Sequence, residues 1–318
     1  MQAADKLTVL ITSSPTHTHP STCLLDRVLE TFGAVPGLME CRKIVICDGY
    51  RLDAQIRYKK GRVTQKQADS YEAYKSNLRK HIEENNPLYV NTEILELPKR
   101  VGFGFALKEA IPSVTTDYLM IVQHDRSFIK GFDLMQVINA MENNPIMRCV
   151  LLPLASTFNY NKRMDTKFSK KDVLANREVT FENHVFLPLC QFYDSTHIAH
   201  INFYKDFIIG QRMIPKNGFI EDRLGQLQVK DLRENGMDAH AKYGTYLYGD
   251  GFEYIVQHLD GRDGLTENEF TWQRDDRGIY RRVIHNVPFQ SREESAIRES
   301  VQFSNCEVPE GAFDIFTE

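Results

Sequence analysis

The stretch DYLMIVQHDRSF, residues 117–128, decides the fold class of this 318-residue chain. An apolar and aromatic run, residues 118–122, is followed at once by Gln123, His124 and Asp125. A short apolar run that ends in polar groups is typical of a buried strand whose carboxyl end reaches a cleft. The pattern therefore predicts a core strand that brings an amide, an imidazole and a carboxylate to one point.

Similar apolar runs recur along the first half of the chain and alternate with helical patterns. The predicted strands are 7–12, 43–49, 92–98 and 149–155, and the predicted helices are 21–33, 68–86, 103–111, 132–144 and 218–236. Such alternation predicts an α/β fold with a mostly parallel central sheet and helices on both faces. Residues 156–215 are polar and basic, and we interpret them as an excursion or lid, with a strand and turn at 196–208. The C-terminal part reads as irregular.

Composition and charge exclude several function classes. The net charge is −4, with 42% apolar and 26% charged residues. This mild acidic balance argues against a general nucleic-acid binder. An apolar run of about 18 residues and a signal peptide are both absent from the sequence, so we expect no membrane span. We expect a cytoplasmic protein or the soluble catalytic domain of a longer one. Without a C-x-x-C pair, the six cysteines predict no zinc site.

Polar side chains follow three of the predicted strands. Thr12, Ser13 and Ser14 follow the first, Asp48 follows the second, and Asp125 with its two neighbours follows the strand described above. Ligands of open α/β sheets bind at the carboxyl ends of the strands, so these groups are candidates for a binding site. A carboxylate there suits a divalent cation that bridges a diphosphate, and the alternative is a polar turn that only ends the strand.

A basic, glycine-containing segment, KRVGFGF at residues 99–105, precedes a predicted helix. It lacks the full dinucleotide fingerprint, and no P-loop motif occurs in the sequence. Arg100 and the helix start after Gly102 can face a phosphate. The alternative is that the charges of this segment are simply solvated.

Two later motifs carry further candidates. Glu221 and Asp222 lie at a predicted helix start, where one carboxylate can cap the backbone and the other can face a cleft as a general base. His258 ends an apolar run in VQHLDGR and is either a metal ligand or a structural histidine. Arg262 either neutralises phosphate or is exposed.

In this order, the motifs resemble those of GT-A fold, nucleotide-sugar-dependent glycosyltransferases of the inverting, family 2-like type. The resemblance covers roughly residues 7–262. Its carriers are ITSSP, CDG, KRVGFGFALKEA, QHD, GFIEDRLG and QHLDG. The QHD tripeptide stands at the place of the Asp-x-Asp metal signature, so Gln123 replaces the first aspartate and Asp125 retains the last.

The resemblance implies transfer of one sugar from a nucleotide-diphosphate sugar, with UDP as the first choice, to the hydroxyl of a glycan or other acceptor, with inversion. Asp125 and His258 would hold Mn²⁺ or Mg²⁺, and Asp222 would be the base, with Glu221 as the other candidate. The implied donor-binding residues are Thr12, Ser13, Ser14, Asp48, Arg100, Gly102, Lys108, Gln123, His124 and Arg262. A single domain over residues 1–318 would have a nucleotide-sugar-binding half, 1–150, and an acceptor-binding and catalytic half, 151–318.

Two other function classes stay open. Sugar nucleotidyltransferases resemble the same fold but have a glycine-rich loop after the first strand, and TSSPTHTHP at residues 12–20 has no glycine. A non-catalytic nucleotide- or sugar-binding module is favoured by Gln123. It is opposed by the retention of Asp125 and of the Glu221–Asp222 pair.

Overall fold

The computed structural model describes residues 2–56, 58–216, 218–259, 270–276 and 279–284. Its strands are β1 Leu7–Ser13, β2 Arg42–Cys47, β3 Arg51–Leu52, β4 Arg62–Val63, β5 Thr92–Glu96, β6 Tyr118–Gln123, β7 Arg126–Phe128, β8 Cys149–Leu151, β9 Val179–Phe181, β10 His184–Pro188, β11 His197–His200, β12 Thr245–Tyr248, β13 Val256–His258, β14 Phe270–Arg274 and β15 Tyr280–Ile284. Its α-helices are α1 Ala3–Lys6, α2 Cys23–Phe32, α3 Gln65–Glu83, α4 Phe103–Ala110, α5 Leu134–Asn143, α6 Tyr160–Phe168 and α7 Gln226–Asn235. Short 3₁₀ turns cover Tyr58–Lys60, Pro87–Tyr89, Ile111–Ser113, Ala155–Thr157 and Met237–Lys242, and π-helical turns cover Phe203–Ile209 and Glu221–Gly225.

A nine-stranded sheet in the order β5-β2-β1-β6-β11-β8-β12-β10-β9 forms the centre of the fold. The first four strands of this order are parallel to one another. β11 is antiparallel to both of its neighbours, β8 and β12 are parallel, and β10 is antiparallel to β12 and β9. The predicted α/β class with a largely parallel sheet is confirmed, and both halves of the chain contribute strands to the one sheet.

Helices cover both faces of this sheet because alternate residues of a strand point to opposite sides. In β1, Leu7, Val9 and Ile11 pack in one apolar cluster with residues of α2 and α5. Leu10 packs in a second cluster with residues of α4. All four side chains are fully buried, and each contributes about 1.5–3 kcal/mol of hydrophobic stabilisation.

The second half differs from the expectation. The presumed excursion contains α6 and the strands β10 and β9, which extend the central sheet, with β9 at its edge. The edge strand was missed because β9 is only partly buried and therefore lacks an apolar run. The predicted strand and turn at 196–208 is β11 followed by the π-turn Phe203–Ile209.

Two further predictions concern the end of strand β8 and the absence of a membrane span. Strand β8 ends at Leu151 rather than at residue 155, where Pro153 removes a backbone donor. Within the described residues, no helix combines the length and the apolar character that crossing a bilayer requires.

Candidate functional site

Asp125 and His258 meet beyond the carboxyl end of β6. The chain continues from Asp125 into β7, which pairs antiparallel with β13 and sets His258 opposite Arg126. The N–H of Leu259 donates to the Asp125 carbonyl at 2.7 Å, which fixes the register at this end. As a result, Nε2 of His258 lies 3.0 Å from Oδ2 of Asp125.

The surroundings keep the Asp125 carboxyl ionised. Burial by itself raises the pKa of this group, but the hydrogen bond from His258 and the nearby side chains of His124 and Arg126 outweigh burial and hold the pKa well below its usual range. The second oxygen, Oδ1, is buried and has no hydrogen-bond partner in the described part of the chain. Asp125 therefore holds a negative charge with one oxygen whose hydrogen-bonding capacity is unused among the described residues.

The spacing of the pair also fits two neighbouring positions around an octahedral cation, with the deprotonated Nε2 of His258 coordinating through its lone pair in place of the hydrogen bond to Asp125. Adjacent ligand atoms at bonds of about 2.1 Å lie about 3 Å apart, and the Nε2–Oδ2 distance is 3.0 Å. Among the described residues, however, no group of three or more His, Cys, Asp or Glu side chains is arranged to hold a metal. A cation at this pair would need its remaining ligands from a bound molecule or from water.

Glu221 forms a reciprocal arrangement with Asp194. Oε2 of Glu221 accepts a hydrogen bond from the Asp194 N–H at 2.9 Å, and Oδ2 of Asp194 accepts one from the Glu221 N–H at 3.0 Å. The side-chain amide of Gln123 donates to the Asp194 carbonyl at 2.5 Å. This chain of contacts links the end of β6 to the π-turn Glu221–Gly225.

Both carboxyls of this arrangement hold protons more tightly than usual. Burial, with the nearby charge of Glu221, raises the pKa of Asp194 well above its usual value. Burial also raises the pKa of Glu221, assisted by Asp222 and opposed by the Asp194 hydrogen bond and by Arg126. A carboxyl with a raised pKa is suited to proton transfer near neutral pH.

Asp222 has a different environment. It is exposed, and its Oδ2 accepts a hydrogen bond from the Phe219 N–H at 2.7 Å. Asp222 thus caps the backbone before the π-turn, while Glu221 faces the buried groups at the strand ends. The sequence suggested a backbone cap and a general base for this pair, with Asp222 preferred as the base. In the structure Asp222 is the cap, and Glu221 is the carboxyl on the side of the buried groups.

Asp48 fastens the segment that precedes α4. Its two carboxylate oxygens accept hydrogen bonds from the N–H groups of Val101 and Gly102, at 2.8 and 2.9 Å. Gly102 has a φ of +85°, a backbone conformation that favours glycine. The Asp48 N–H donates to the Ser13 carbonyl at 2.9 Å, so the ends of β1 and β2 are tied to the start of α4.

Thr12, Ser14 and Arg100, which were also predicted to bind the donor, have different surroundings. The buried Thr12 accepts the His124 N–H at its carbonyl, at 3.0 Å, and Ser14 is exposed beyond the end of β1. Arg100 packs its side chain against Gly61, where an added Cβ would collide with it.

One predicted residue, Lys108, is not brought to the site. It is exposed in the last turn of α4, whereas the residues before the first turn of this helix bind Asp48 at the strand ends. The prediction for Arg262 falls outside the described residues.

Asp194 is the site residue that the sequence reasoning missed. Asp194 precedes the antiparallel strand β11. The amino end of β11 lies beside the carboxyl end of β6. The signal in the sequence is the polar run DST directly before the strand HIAH. This signal has no meaning until the direction of β11 is known, which explains the omission.

Comparisons with known proteins give structural matches at low identity. One is the 1–349 fragment of TarS from S. aureus in complex with UDP-GlcNAc, with 12% identity, 80% of this chain and 60% of that chain covered, and a TM-score of 0.44. Another is the mannosyltransferase PcManGT from Pyrobaculum calidifontis in complex with GDP-Man and Mn²⁺, with 14% identity, coverages of 70% and 52%, and a TM-score of 0.41. A third is glucosyl-3-phosphoglycerate synthase from Mycobacterium tuberculosis, solved with Mn²⁺, UDP and glucosyl-3-phosphoglycerate, with 12% identity, coverages of 90% and 89%, and a TM-score of 0.39.

The chain thus spans 60% of the TarS fragment and 52% of PcManGT. No protein-family model and no curated protein sequence matches it.

Proposed function

We propose that this protein transfers a sugar from a nucleotide-diphosphate sugar to an acceptor hydroxyl, with inversion at the anomeric carbon. The observation that carries the proposal is the contact of 3.0 Å between His258 Nε2 and the ionised Asp125 at the carboxyl end of β6. Glu221 approaches the same edge from the other half of the chain through Asp194 and Gln123. A charge-binding pair and a separate carboxyl of raised pKa are the two parts that this chemistry requires.

Asp125 and His258 are the proposed ligands of a divalent cation, Mn²⁺ or Mg²⁺. When bound, such a cation offsets the negative charge that develops on the leaving diphosphate. Gln123 contributes no charge where the resembled signature has an aspartate. Its amide instead holds Asp194 in place, so the cation site relies on one protein carboxylate.

Glu221 is the proposed base. It takes the proton of the acceptor hydroxyl while the oxygen forms a bond to the anomeric carbon, and the bond from that carbon to the diphosphate oxygen breaks. The bonding electrons leave with the nucleotide diphosphate. One displacement on the face opposite the leaving group gives inversion.

The donor-binding surface in this proposal is the edge formed by the ends of β1 and β2 and the start of α4. Asp48 organises this edge through the N–H groups of Val101 and Gly102. The first turn of α4 then offers backbone N–H groups and a positive helix end to a phosphate. We take UDP as the first nucleotide to test.

A binding module without turnover is the second candidate, because Asp125 and His258 are not joined by a third His, Cys, Asp or Glu ligand among the described residues. The two candidates differ in one observable. A module binds the nucleotide sugar but does not break it down, whereas a transferase releases nucleotide slowly by transfer to water.

The decisive experiment is a screen of UDP-, GDP- and dTDP-sugars for nucleotide release, with Mn²⁺, Mg²⁺ or EDTA, on wild type and Asp125→Ala. We expect release from one donor class, lost in EDTA and in the variant. Binding of a nucleotide sugar without any release would favour the module. Neither binding nor release from any donor would overturn the proposed function.

A further inference from the structure

The polar, basic segment that follows β8 has no role in the site described so far. Its helix α6 carries Arg163 and Lys167 at i and i+4, so the two side chains lie on the same face. Arg233 of α7 reaches the same place, where its Nη2 donates to the Lys167 carbonyl at 2.8 Å. We call Arg163, Lys167 and Arg233 the α6 basic cluster.

The cluster places three positive charges close together, and two of them have no carboxylate partner among the described residues. Among the described residues, neither Lys167 nor Arg233 takes part in an ion pair. Burial, Arg233 and Arg163 together lower the pKa of Lys167. Like charges at this spacing destabilise a helix, so local stability does not explain their presence.

The cluster is attached to the segment that carries the proposed base. Lys167 Nζ donates to the side-chain carbonyl of Gln191, and Gln191 packs against Gly225 at the end of the π-turn Glu221–Gly225. The Tyr160 hydroxyl, at the start of α6, accepts the Cys190 N–H at 2.8 Å. The helix is therefore docked on residues 190–191, just before Asp194.

Tyr193 follows residues 190–191, on which α6 is docked. Burial raises the pKa of its phenol to about 12, while Arg163 lowers it and Glu221 raises it, so the guanidinium and the carboxyl both act on this ring. The cluster is thus on the Glu221 side of the site, whereas Asp125 and His258 are held by the β7–β13 pair.

We propose that the α6 basic cluster binds an anionic group, a phosphate or a carboxylate, on the acceptor whose hydroxyl Glu221 activates. This inference rests on the proposed function and adds the acceptor class to it. Two guanidinium forks and an ammonium match the oxygens of such a group, and the anion relieves the repulsion within the cluster. A neutral glycan leaves the charges of Lys167 and Arg233 without an anionic partner.

Direct anion binding tests the inference. Inorganic phosphate is titrated into the full chain by calorimetry in the presence of saturating UDP and Mg²⁺, so that the donor site is filled. Acetate in place of phosphate distinguishes a phosphate site from a general carboxylate site. We expect Lys167→Gln to weaken phosphate binding at least about tenfold and Arg233→Gln severalfold, on the scale of lost charge-assisted hydrogen bonds. The control is Lys171→Gln, which removes an exposed charge of the same segment outside the cluster and should leave binding unchanged.

Matched acceptor pairs give the second readout. Transfer to sugar phosphates is compared with transfer to the corresponding free sugars, and we expect the phosphorylated member to be favoured in wild type but not in Lys167→Gln. No phosphate binding by wild type, equal weakening in Lys167→Gln and Lys171→Gln, or preference for neutral sugars overturns the inference. Wild-type nucleotide release is measured in parallel. Release without cluster-dependent phosphate binding refutes only this inference, and absence of release refutes the proposed function.

Discussion

His258 Nε2 lies 3.0 Å from Asp125 Oδ2 because strand β13 returns alongside β7 and sets His258 opposite Arg126. Local sequence does not predict this contact, since the two residues come from the two halves of the chain. The contact holds an ionised carboxylate at a buried position, where an unpaired charge is costly. Oδ1 of the same carboxylate is buried and is left without a hydrogen-bond partner in the described structure.

Asp125→Asn should lower nucleotide release from the donor by about 100-fold or more, on the scale of a lost charge-stabilising group. The amide keeps the size of the side chain but removes its negative charge. Initial rates with Mn²⁺ and Mg²⁺ measure the effect. Asp117→Asn is the matched control, because Asp117 is exposed just before the opposite end of β6. Equal rates for wild type and Asp125→Asn would rule out a role of this carboxylate in the reaction.

His258→Gln should weaken Mn²⁺ binding in the presence of UDP by about 10–100-fold, the range found when groups that support a metal site are removed. It should also raise the pKa of Asp125, since the hydrogen bond from His258 is the largest contribution that lowers it. Electron paramagnetic resonance of free Mn²⁺ gives the affinity. His200→Gln serves as the control, because His200 pairs with Tyr118 at the opposite end of β6. Unchanged Mn²⁺ affinity in His258→Gln would remove His258 from the metal site.

The two carboxyls of the π-turn should differ in their effect on catalysis. Glu221→Gln should lower transfer or nucleotide release by about 100- to 10,000-fold, the usual contribution of a general base. Asp222→Asn should have a small effect, since the amide oxygen can still accept the Phe219 N–H. The pH dependence of kcat/KM should lose its acidic limb in Glu221→Gln. If Asp222→Asn abolishes activity while Glu221→Gln retains it, Asp222 is the base.

The first half of this fold was predictable because its parallel strands are buried on both faces and read as continuous apolar runs. The edge strand β9 gave no such signal, and its polarity suggested a loop. At the site, Asp125 and His258 were identifiable as polar ends of apolar runs. The choice between Glu221 and Asp222 was not, since it depends on the phase of a π-helical turn. Asp194 required the direction of β11, which no local pattern reveals.

Asp194→Asn should stabilise the protein at neutral pH while it impairs the positioning of Glu221. The folded-state pKa of Asp194 is raised by burial, by Glu221 and by Asp222. The unfolded chain therefore binds fewer protons at this residue above the ordinary Asp pKa of about 3.9. Stability then falls as the pH rises through the window between the unfolded and folded pKa values. The amide avoids this cost, and its oxygen can still accept the Glu221 N–H.

Urea unfolding of wild type and Asp194→Asn between pH 4.5 and pH 8 measures the difference, which we expect to grow with pH. Asp231→Asn provides a comparison of opposite sign. Hydrogen bonds from Lys242, Tyr243 and Asn235 lower the pKa of Asp231 to about 2. Its ionised form therefore stabilises the fold above the unfolded pKa, and this contribution is lost as the pH falls. The Asp231 variant should be slightly destabilised at neutral pH. A variant of Asp194 that is less stable than wild type at pH 8 would show that its buried carboxyl is ionised and favourably paired, contrary to the arrangement described.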